Sequence, residues 1–408
     1  MISIRSGALT LAVAVVTLAL SVPLFGDGQE VAILLVNFAV ALALIIYLVE
    51  VRGESIFLFL AVALGLAAGL ALAFVVSDEP FRAMGSLLTG PLSRSNRWGT
   101  WIEDSITLCI LGLSYVVVFR ANQISLGAEG QLHVGALGGA LVGLFLNLPA
   151  LLHVPTMIAA AMIGGFLWGF IPGILKSRYG ASEIVSTLML NVIAVRLYTA
   201  LINGQLKDPE AGFTQTKNFN SSSLLPNLVD GTRITIALPL AGLAVILVAA
   251  YVQRARGGYR LRMVGANRVF ARYGGIDERK VVWFTIALSG AIAGLAGAHL
   301  AFGIHGKLIL NISLGLGFEG IVVALLARSR PLAVPFAALL YAYIRVGAQI
   351  MERESDVSFE VVRVVQAVII LIVTVDRIRE ALQARKARQS AMAPNIEDPV
   401  IMEVTASE

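Results

Sequence analysis

Long apolar runs alternate with short polar stretches along most of the chain, and this pattern predicts helices that cross a membrane. Several runs are shorter than the roughly 20 residues that an ideal span needs. The twelve predicted spans cover about residues 7–25, 31–49, 56–76, 105–119, 132–148, 151–171, 182–202, 234–252, 281–303, 314–329, 331–350 and 359–376. The predicted fold class is therefore an all-α polytopic membrane protein with glycine-interrupted helices.

The same pattern divides the chain into three parts. Residues 1–52 form an N-terminal two-helix extension, residues 53–380 the transmembrane domain, and residues 381–408 a tail predicted to be disordered. The first apolar run is similar to a signal peptide, but residues 21–23 make a poor cleavage site and a second span follows at once. A retained helix is therefore favoured.

Composition excludes a soluble domain. The 408 residues are 57% hydrophobic and 14% charged, and the mean hydropathy is +0.83. The net charge of +5 comes mainly from cations between the spans, so nucleic-acid binding is not inferred. The 39 glycines suit close helix packing and broken helices.

No pattern of catalytic, cofactor-binding or metal-ligating residues emerges. The single cysteine, Cys109, excludes an intramolecular disulfide, and the four histidines form no His-Glu-x-x-His pattern. The pair Gly306-Lys307 is followed by Leu308, so it does not belong to a phosphate-binding P-loop. Gly-x-Ser-x-Gly is also absent from the sequence. An intramembrane enzyme is therefore disfavoured, and no bound cofactor is predicted.

The most basic loop of the chain, residues 253–280, carries eight cations between two apolar runs. The positive-inside rule places such a loop in the cytoplasm. With both termini also inside, the cytoplasmic segments hold 20 cations and the outer segments 8. The count supports a multi-pass protein of a plasma membrane with both termini cytoplasmic.

This basic loop is predicted to be folded. Asn267 is a good N-cap and Gly274-Gly275 is a good C-terminal stop, so a two-turn helix is expected between them. Asp277 can cap the next membrane helix, with Glu278 in its first turn.

One face of the predicted short helix is apolar. Helical spacing groups Val269, Phe270 and Tyr273 on that face, and Arg268 and Arg272 on another. A short helix held between two spans suits docking of a soluble partner. The alternative is a loop whose surface cations only set the topology, and the residues alone do not decide between the two.

A four-residue pattern occurs twice. Gly-Ala-Glu-Gly at 127–130 opens the fifth span and Gly-Phe-Glu-Gly at 317–320 opens the tenth, 190 residues later. An offset of five spans predicts two inverted five-helix repeats, about 56–202 and 234–376, which is a recurring transporter design. The alternative is a chance match in a glycine-rich chain.

Ionisable residues inside spans are costly and need an explanation. They are Arg196, Arg345 and Arg363, with Glu129, Glu183 and Glu319 near helix starts. Snorkelling to an interface is favoured for Arg345, whereas Arg363 can face a polar pathway or pair with Glu360. Asn191 shares a face with Glu183, which indicates either a helix–helix contact or a pathway.

Six segments resemble one known family. They are SLGAEGQ at 125–131, GFLWGFIPGILKSRYGASEIVSTLMLNVIA at 165–194, RLRMVGANRVFARYGGI at 260–276, SGAIAGLAGA at 289–298, GFEGIVVALLA at 317–327 and VVRVVQAVIILIV at 361–373. The chain resembles permease subunits of bacterial ABC importers, in the group of ribose and branched-chain amino-acid permeases. Within it, the resemblance is greatest to nucleoside permeases that work with basic-membrane-protein-type lipoprotein receptors, and it covers roughly residues 56–378.

The resemblance implies a set of partners. These are a second permease, commonly a different but related chain, a cytoplasmic ATPase that uses ATP, and an extracytoplasmic lipoprotein that delivers a small-molecule substrate. Transport would proceed by alternating access within the lipid bilayer. The basic loop would dock in the ATPase through a motif that matches at Gly265, Asn267, Ala271, Arg272, Tyr273 and Gly275.

The resemblance also implies a translocation path near the two Gly-x-Glu-Gly segments. A nucleoside needs a few hydrogen-bonding groups and an apolar or aromatic wall. The residues predicted to line or shape the path are Glu129, Gln131, Asn191, Glu319, Gln366, Tyr115 and Trp168.

The chain departs from the family pattern in three places. Ser125-Leu126 replaces the usual Asn-Ile, and Glu319 replaces the usual Asp. Relatives begin near the third span, so the role of residues 1–52 is not predicted. The same importer class with a sugar, riboflavin-like or amino-acid cargo stays an alternative, as does a secondary transporter driven by an ion gradient.

Overall fold

A computed structural model of the protein describes residues 77–228 and 234–357. The helices of this part are α1 (Pro80–Thr89), α2 (Ser95–Arg120), α3 (Ala128–Phe145), α4 (Ala150–Tyr179), α5 (Glu183–Asn203), α6 (Ala237–Arg254), α7 (Arg256–Ala266), α8 (Arg268–Tyr273), α9 (Glu278–Ala298), α10 (Leu316–Leu326) and α11 (Val334–Glu354). A π-helix, His299–His305, continues α9. Within the described residues only isolated β-bridges occur and no strand forms, so this part of the chain is all-α.

Eight of the twelve predicted spans coincide with helices α2 to α6 and α9 to α11. The first three spans and the twelfth lie outside the described residues, as do the 1–52 extension, the 381–408 tail, Arg363 and Gln366. Both predicted repeats are therefore incomplete in the described part. The short helix predicted in the basic loop is present as α8, and a second helix that was not predicted, α7, precedes it and begins directly after α6.

Six of the described helical segments are long and apolar enough to cross a membrane. They are Asn96–Arg120, Ala150–Tyr179, Glu183–Asn203, Ala237–Arg254, Glu278–His305 and Pro331–Glu354. The helices that begin at the two Gly-x-Glu-Gly segments are not among them. The second of these, α10, has only 11 residues, about 16 Å of rise, so it does not span a bilayer by itself.

The core lies around α2 and α9. Helix α2 is the more central of the two by burial: in its most apolar stretch of 18 residues, 83% of the residues are buried inside the protein. Helix α9 packs against both α3 and α4, and the three backbones approach closely. A Cβ atom at Gly165 of α4 would lie 3.0 Å from the Cα of Gly294 on α9, and one at Gly290 would lie 2.9 Å from the carbonyl carbon of Gly165. Only glycine fits such a contact, and we call this contact region the glycine seam.

The outer surface of the bundle is apolar on α4 and α5. Leu151, Leu167, Val185 and Met189 are all more than half exposed, as expected of side chains that face lipid or another membrane subunit. In contrast, the described residues 204–228, which follow α5, are held down at one end of the bundle. They are mostly irregular, but Thr216 N donates to Leu308 O at 3.0 Å and Phe219 stacks on Phe302.

Candidate functional site

The basic loop folds at one end of the bundle, which we call the basic end. Helix α8 is capped at its start by Asn267, whose side-chain oxygen accepts a hydrogen bond from Phe270 N at 3.0 Å. The helix stops because Gly275 adopts a left-handed conformation (φ +76°), and Ile276 N then donates to Ala271 O at 3.0 Å. Both the predicted cap and the predicted stop are confirmed.

The next helix is capped as the sequence predicted. The side chain of Asp277 accepts a hydrogen bond from Lys280 N at 3.2 Å. This backbone hydrogen bond is the main cause that holds the pKa of Asp277 below its usual value. Glu278, in the first turn, pairs with Arg272, so α8 and α9 are tied together by an ion pair.

Helix α8 exposes its apolar face. Val269, Phe270 and Tyr273 are 63%, 62% and 88% exposed. Ala271, on the opposite face, is fully buried. Three large apolar side chains on two helical turns, at the basic end, form an exposed surface that a soluble protein can bind. We call it the α8 surface.

Gly265 does not belong to the α8 surface. It lies near the end of α7, where a Cβ would be 3.1 Å from the Cα of Ala121 and closer still to the carbonyl oxygen of Arg120. Its role in the structure is to let α7 pack against the end of α2. Of the six residues predicted for coupling, Gly265 and Ala271 pack inward. Asn267 caps the start of α8, and Gly275 stops the helix at its other end. Arg272 pairs with Glu278, so Tyr273 is the one of the six that projects outward.

The two Gly-x-Glu-Gly segments meet in space. Gly127 is the N-cap of α3, and Gly315 is the N-cap of α10, so both glutamates lie in first turns. The carboxylate of Glu129 accepts a hydrogen bond from Gly317 N at 2.9 Å and another from the Ser313 hydroxyl. Glu129 therefore caps the start of α10 from a different helix, which the sequence did not predict.

Asn191 has a structural role at the start of α3. Its side-chain oxygen accepts a hydrogen bond from Gly130 N at 2.9 Å, and its nitrogen donates to Leu126 O at 2.7 Å. Thr187, one turn earlier on α5, accepts from Leu126 N at 3.1 Å. These contacts hold the break before α3 against α5, which agrees with the helix–helix interpretation of Asn191.

Glu319 forms part of a buried ion cluster. Arg345 Nε lies 3.1 Å from Glu319 Oε2, and Arg345 Nη1 donates to Asp104 Oδ2 at 3.0 Å. The side chain of Arg345 is only 5% exposed. The snorkelling interpretation of Arg345 was therefore wrong, because two carboxylates on other helices compensate its charge inside the bundle. We call Asp104, Glu319 and Arg345 the ion cluster.

Sequence reasoning missed Asp104 because the predicted fourth span began one residue after it. The signal that could have identified it is an acidic residue within the apolar helix α2, ten residues into the helix. A residue at this depth needs a cationic partner, and Arg345 was one of the intramembrane cations for which no partner had been named.

Three other predicted pathway residues carry buried side-chain polar atoms that have no hydrogen-bond partner among the described residues. They are Tyr115 Oη, both side-chain heteroatoms of Gln131, and Trp168 Nε1. Gln131 lies at the glycine seam, where a Cβ at Gly169 would be 2.9 Å from its amide nitrogen. Tyr115 lies instead beside Gly320 on α10. The structure thus brings Tyr115 to the start of α10 and Gln131 to the seam.

A bundle of membrane-crossing helices, with two helix starts joined inside it and a folded basic loop at one end, is the architecture of a multi-pass transport permease. Comparison with known families identifies the group. Residues 99–374 match the family described as "Branched-chain amino acid transport system / permease component". The chain belongs to this family.

Several characterised relatives are transport permeases. The guanosine ABC transporter permease NupP of Bacillus subtilis is 34% identical over 317 residues, which cover 77% of this chain and 91% of the relative. The nucleoside ABC transporter permease NupB of Lactococcus lactis is 28% identical over 79% of this chain and 91% of its own length. The glucose ABC transporter permease TsgB13 of Haloferax volcanii is 31% identical over 76% and 85%. No solved structure matches the chain.

Proposed function

We propose that this chain is the membrane permease of an ATP-driven importer for nucleosides. The observation that carries the cargo assignment is the similarity to guanosine and nucleoside permeases, which extends over about three quarters of the chain. A cytoplasmic ATPase, a second related permease and an extracytoplasmic lipoprotein receptor complete the proposed assembly. Another relative from Lactococcus lactis besides NupB, the nucleoside ABC transporter permease NupC, supports a heterodimer.

The α8 surface is proposed to dock in the ATPase. Its three exposed apolar side chains would be buried in a groove of the partner, and the Arg272–Glu278 pair would carry the motion of α8 into α9. Nucleotide can drive transport only if the partner contacts differ between two states of the permease. Gly265, Asn267, Ala271 and Gly275 then act as the scaffold that presents this surface.

The translocation path is proposed to pass the start of α10. Glu129 and Glu319 come from the two Gly-x-Glu-Gly segments, and Tyr115 adds a buried hydroxyl beside them. The two inverted repeats remain part of this proposal, with both termini in the cytoplasm. Gln131, Trp168 and Gln366 stay predicted path residues, whereas the hydrogen bonds of Asn191 favour a supporting role.

A second cargo deserves a direct test because the glucose permease TsgB13 is 31% identical to this chain. Cells that carry the whole transport locus should take up radiolabelled guanosine, and excess adenosine should compete while excess glucose should not. Uptake of glucose without uptake of guanosine would replace the nucleoside assignment and leave the importer class intact.

The ATPase-docking role is tested with two matched tyrosines at helix ends. Tyr273 in the α8 surface is 88% exposed and Tyr179 at the end of α4 is 76% exposed. We expect Tyr273→Ser to abolish most uptake at unchanged membrane expression, and Tyr179→Ser to keep it. Equal uptake in the two variants would contradict docking through α8 and revive a transporter driven by an ion gradient.

A further inference from the structure

Helix α10 is bounded on both sides by backbone in the left-handed region. Before it, Asn311 and Leu314 have φ values of 54° and 48°, and after it, Arg328 and Ser329 have 50° and 53°. Residues other than glycine rarely adopt this conformation, and leucine has no side-chain hydrogen bond that favours it. Strain of this kind persists only where surrounding contacts hold it, and it concentrates at segments that change conformation.

Two contacts hold the first turn of α10, and they differ in kind. The two carboxylate oxygens of Glu129, on α3, accept hydrogen bonds from the Ser313 hydroxyl and from Gly317 N, at the start of α10. Glu319, on α10, instead forms an ion pair with Arg345 on α11, where Glu319 Oε2 lies 3.1 Å from Arg345 Nε. The first contact fixes the position of the helix start, and the second fixes the direction in which the helix points.

The guanidinium of Arg345 has a second carboxylate available. Asp104 on α2 accepts its hydrogen bond at 3.0 Å, so Arg345 stays paired if α10 moves away. Exposure also differs across the ion cluster, because the side chains of Arg345, Asp104 and Glu319 are 5%, 14% and 21% exposed. Glu319 is thus the least buried member of the ion cluster, and its charge is the least costly to release from the cluster.

We propose that α10 is a hinged gate that turns about the Glu129 cap between its two left-handed flanks. The Glu319–Arg345 contact holds the gate in the position of this structure, and Asp104 keeps the guanidinium paired while the gate is away. Asp104 and Arg345 are therefore positioning residues. The proposal rests on the proposed function, since the ATP-driven cycle is what would move the gate.

A disulfide reports the gate position without any cargo. A Cβ at Gly112 of α2 would lie 3.3 Å from the Cβ of Val323 on α10, near the separation of a disulfide. Val323→Cys also removes the methyl group nearest to the new Cβ, which leaves a methyl group of Val334 at 3.0 Å as its next contact. We would introduce Gly112→Cys and Val323→Cys with Cys109→Ser in the full complex with its ATPase. Cross-linking should differ severalfold between the nucleotide-free complex and the complex with a non-hydrolysable ATP analogue.

Two charge variants separate a gate from a merely structural cluster. Glu319→Gln weakens the contact that holds the gate, so cross-linking should fall severalfold. In Asp104→Asn, Glu319 is the remaining carboxylate of the ion cluster. Arg345 should then hold Glu319, and with it α10, at least as firmly as in the wild type, so cross-linking should rise or stay unchanged. A fall in both variants, or equal yields with and without nucleotide, would overturn the gate.

A second measurement covers the case in which the double-cysteine chain does not assemble. Spin labels at Leu325→Cys, a partly exposed position near the far end of α10, and at the exposed Tyr179→Cys give the distance between the moving end of α10 and the end of α4. The distance distribution should shift when the ATP analogue binds, and one unchanged distribution would overturn the gate. Failure of the nucleoside assignment appears separately, as absent guanosine uptake by the wild-type complex.

Discussion

Two arginine–glutamate pairs, one inside the bundle and one at the basic end, use the same chemistry in different surroundings. The side chain of Arg345 is 5% exposed where it meets Glu319, and that of Arg272 is 72% exposed where it meets Glu278. Loss of one partner leaves an unpaired charge in the protein interior in the first case and in water in the second. Burial, rather than residue type, therefore decides what each pair contributes to stability.

The magnitudes separate the two regions. Removing one partner of a buried ion pair costs about 3–5 kcal/mol, whereas an exposed pair contributes about 0–1 kcal/mol. Uncharged contacts show the same difference in burial between the two regions. The backbone contacts at the glycine seam are buried, whereas the capping hydrogen bond of α8 is exposed. Substitutions in each region can test this contrast, beginning with the largest expected effect.

Arg345→Leu should destabilise the protein by about 3–5 kcal/mol, because Asp104 and Glu319 would lose their common cation inside the bundle. Thermal unfolding of the purified protein in detergent measures the loss. As a control, the triple variant with Asp104→Leu and Glu319→Leu as well should recover most of the stability, since an apolar cluster needs no charge compensation. Unchanged unfolding of the single variant would contradict the buried cluster.

Gly165→Ala should cost about 1–3 kcal/mol through overpacking, because the new methyl group would strike the backbone of Gly290 on α9. Gly242→Ala is the matched control. A Cβ at Gly242, on α6, meets nothing within 4 Å, so the substitution should leave stability equal or slightly higher. The comparison uses the same thermal unfolding, and similar results for the two variants would argue against a tight glycine seam.

Asn267→Ala should weaken α8 locally by about 1 kcal/mol, because Phe270 N loses its capping acceptor. Global unfolding should barely change. Hydrogen exchange of the α8 amides should accelerate, and ATP-driven uptake should fall with it. Asn267→Asp retains a capping oxygen and should restore both, whereas exchange at the wild-type rate in the alanine variant would show that the cap is dispensable.

Arg272→Ala should have the smallest effect on stability, about 0–1 kcal/mol, since its side chain is largely exposed. High salt should reduce the difference from wild type further, because exposed pairs are screened. Unfolding at low and high salt measures both effects. A loss as large as that of Arg345→Leu would remove the contrast between the two regions.

Local patterns in the sequence predicted much of the molecule. The apolar runs predicted the positions of eight described helices, six of which are long and apolar enough to cross a membrane. The residue types at Asn267, Gly275 and Asp277 predicted where α8 begins and ends and where α9 begins. These features depend on the solvent around a helix and on hydrogen bonds between residues a few positions apart. Such information is present in any short window of the chain, so it can be recognised without the fold.

Only the tertiary structure decided which distant residues meet. Arg345 was predicted to reach an interface, yet Asp104, 241 positions away, pairs with it inside the bundle. Gly265 was predicted for docking, yet it packs on the end of α2. Glu129 shares a motif with Glu319 but caps the helix that carries its counterpart. These roles depend on how α2, α3, α7, α10 and α11 pack together, because burial and the identity of a charge's partner are properties of several helices at once.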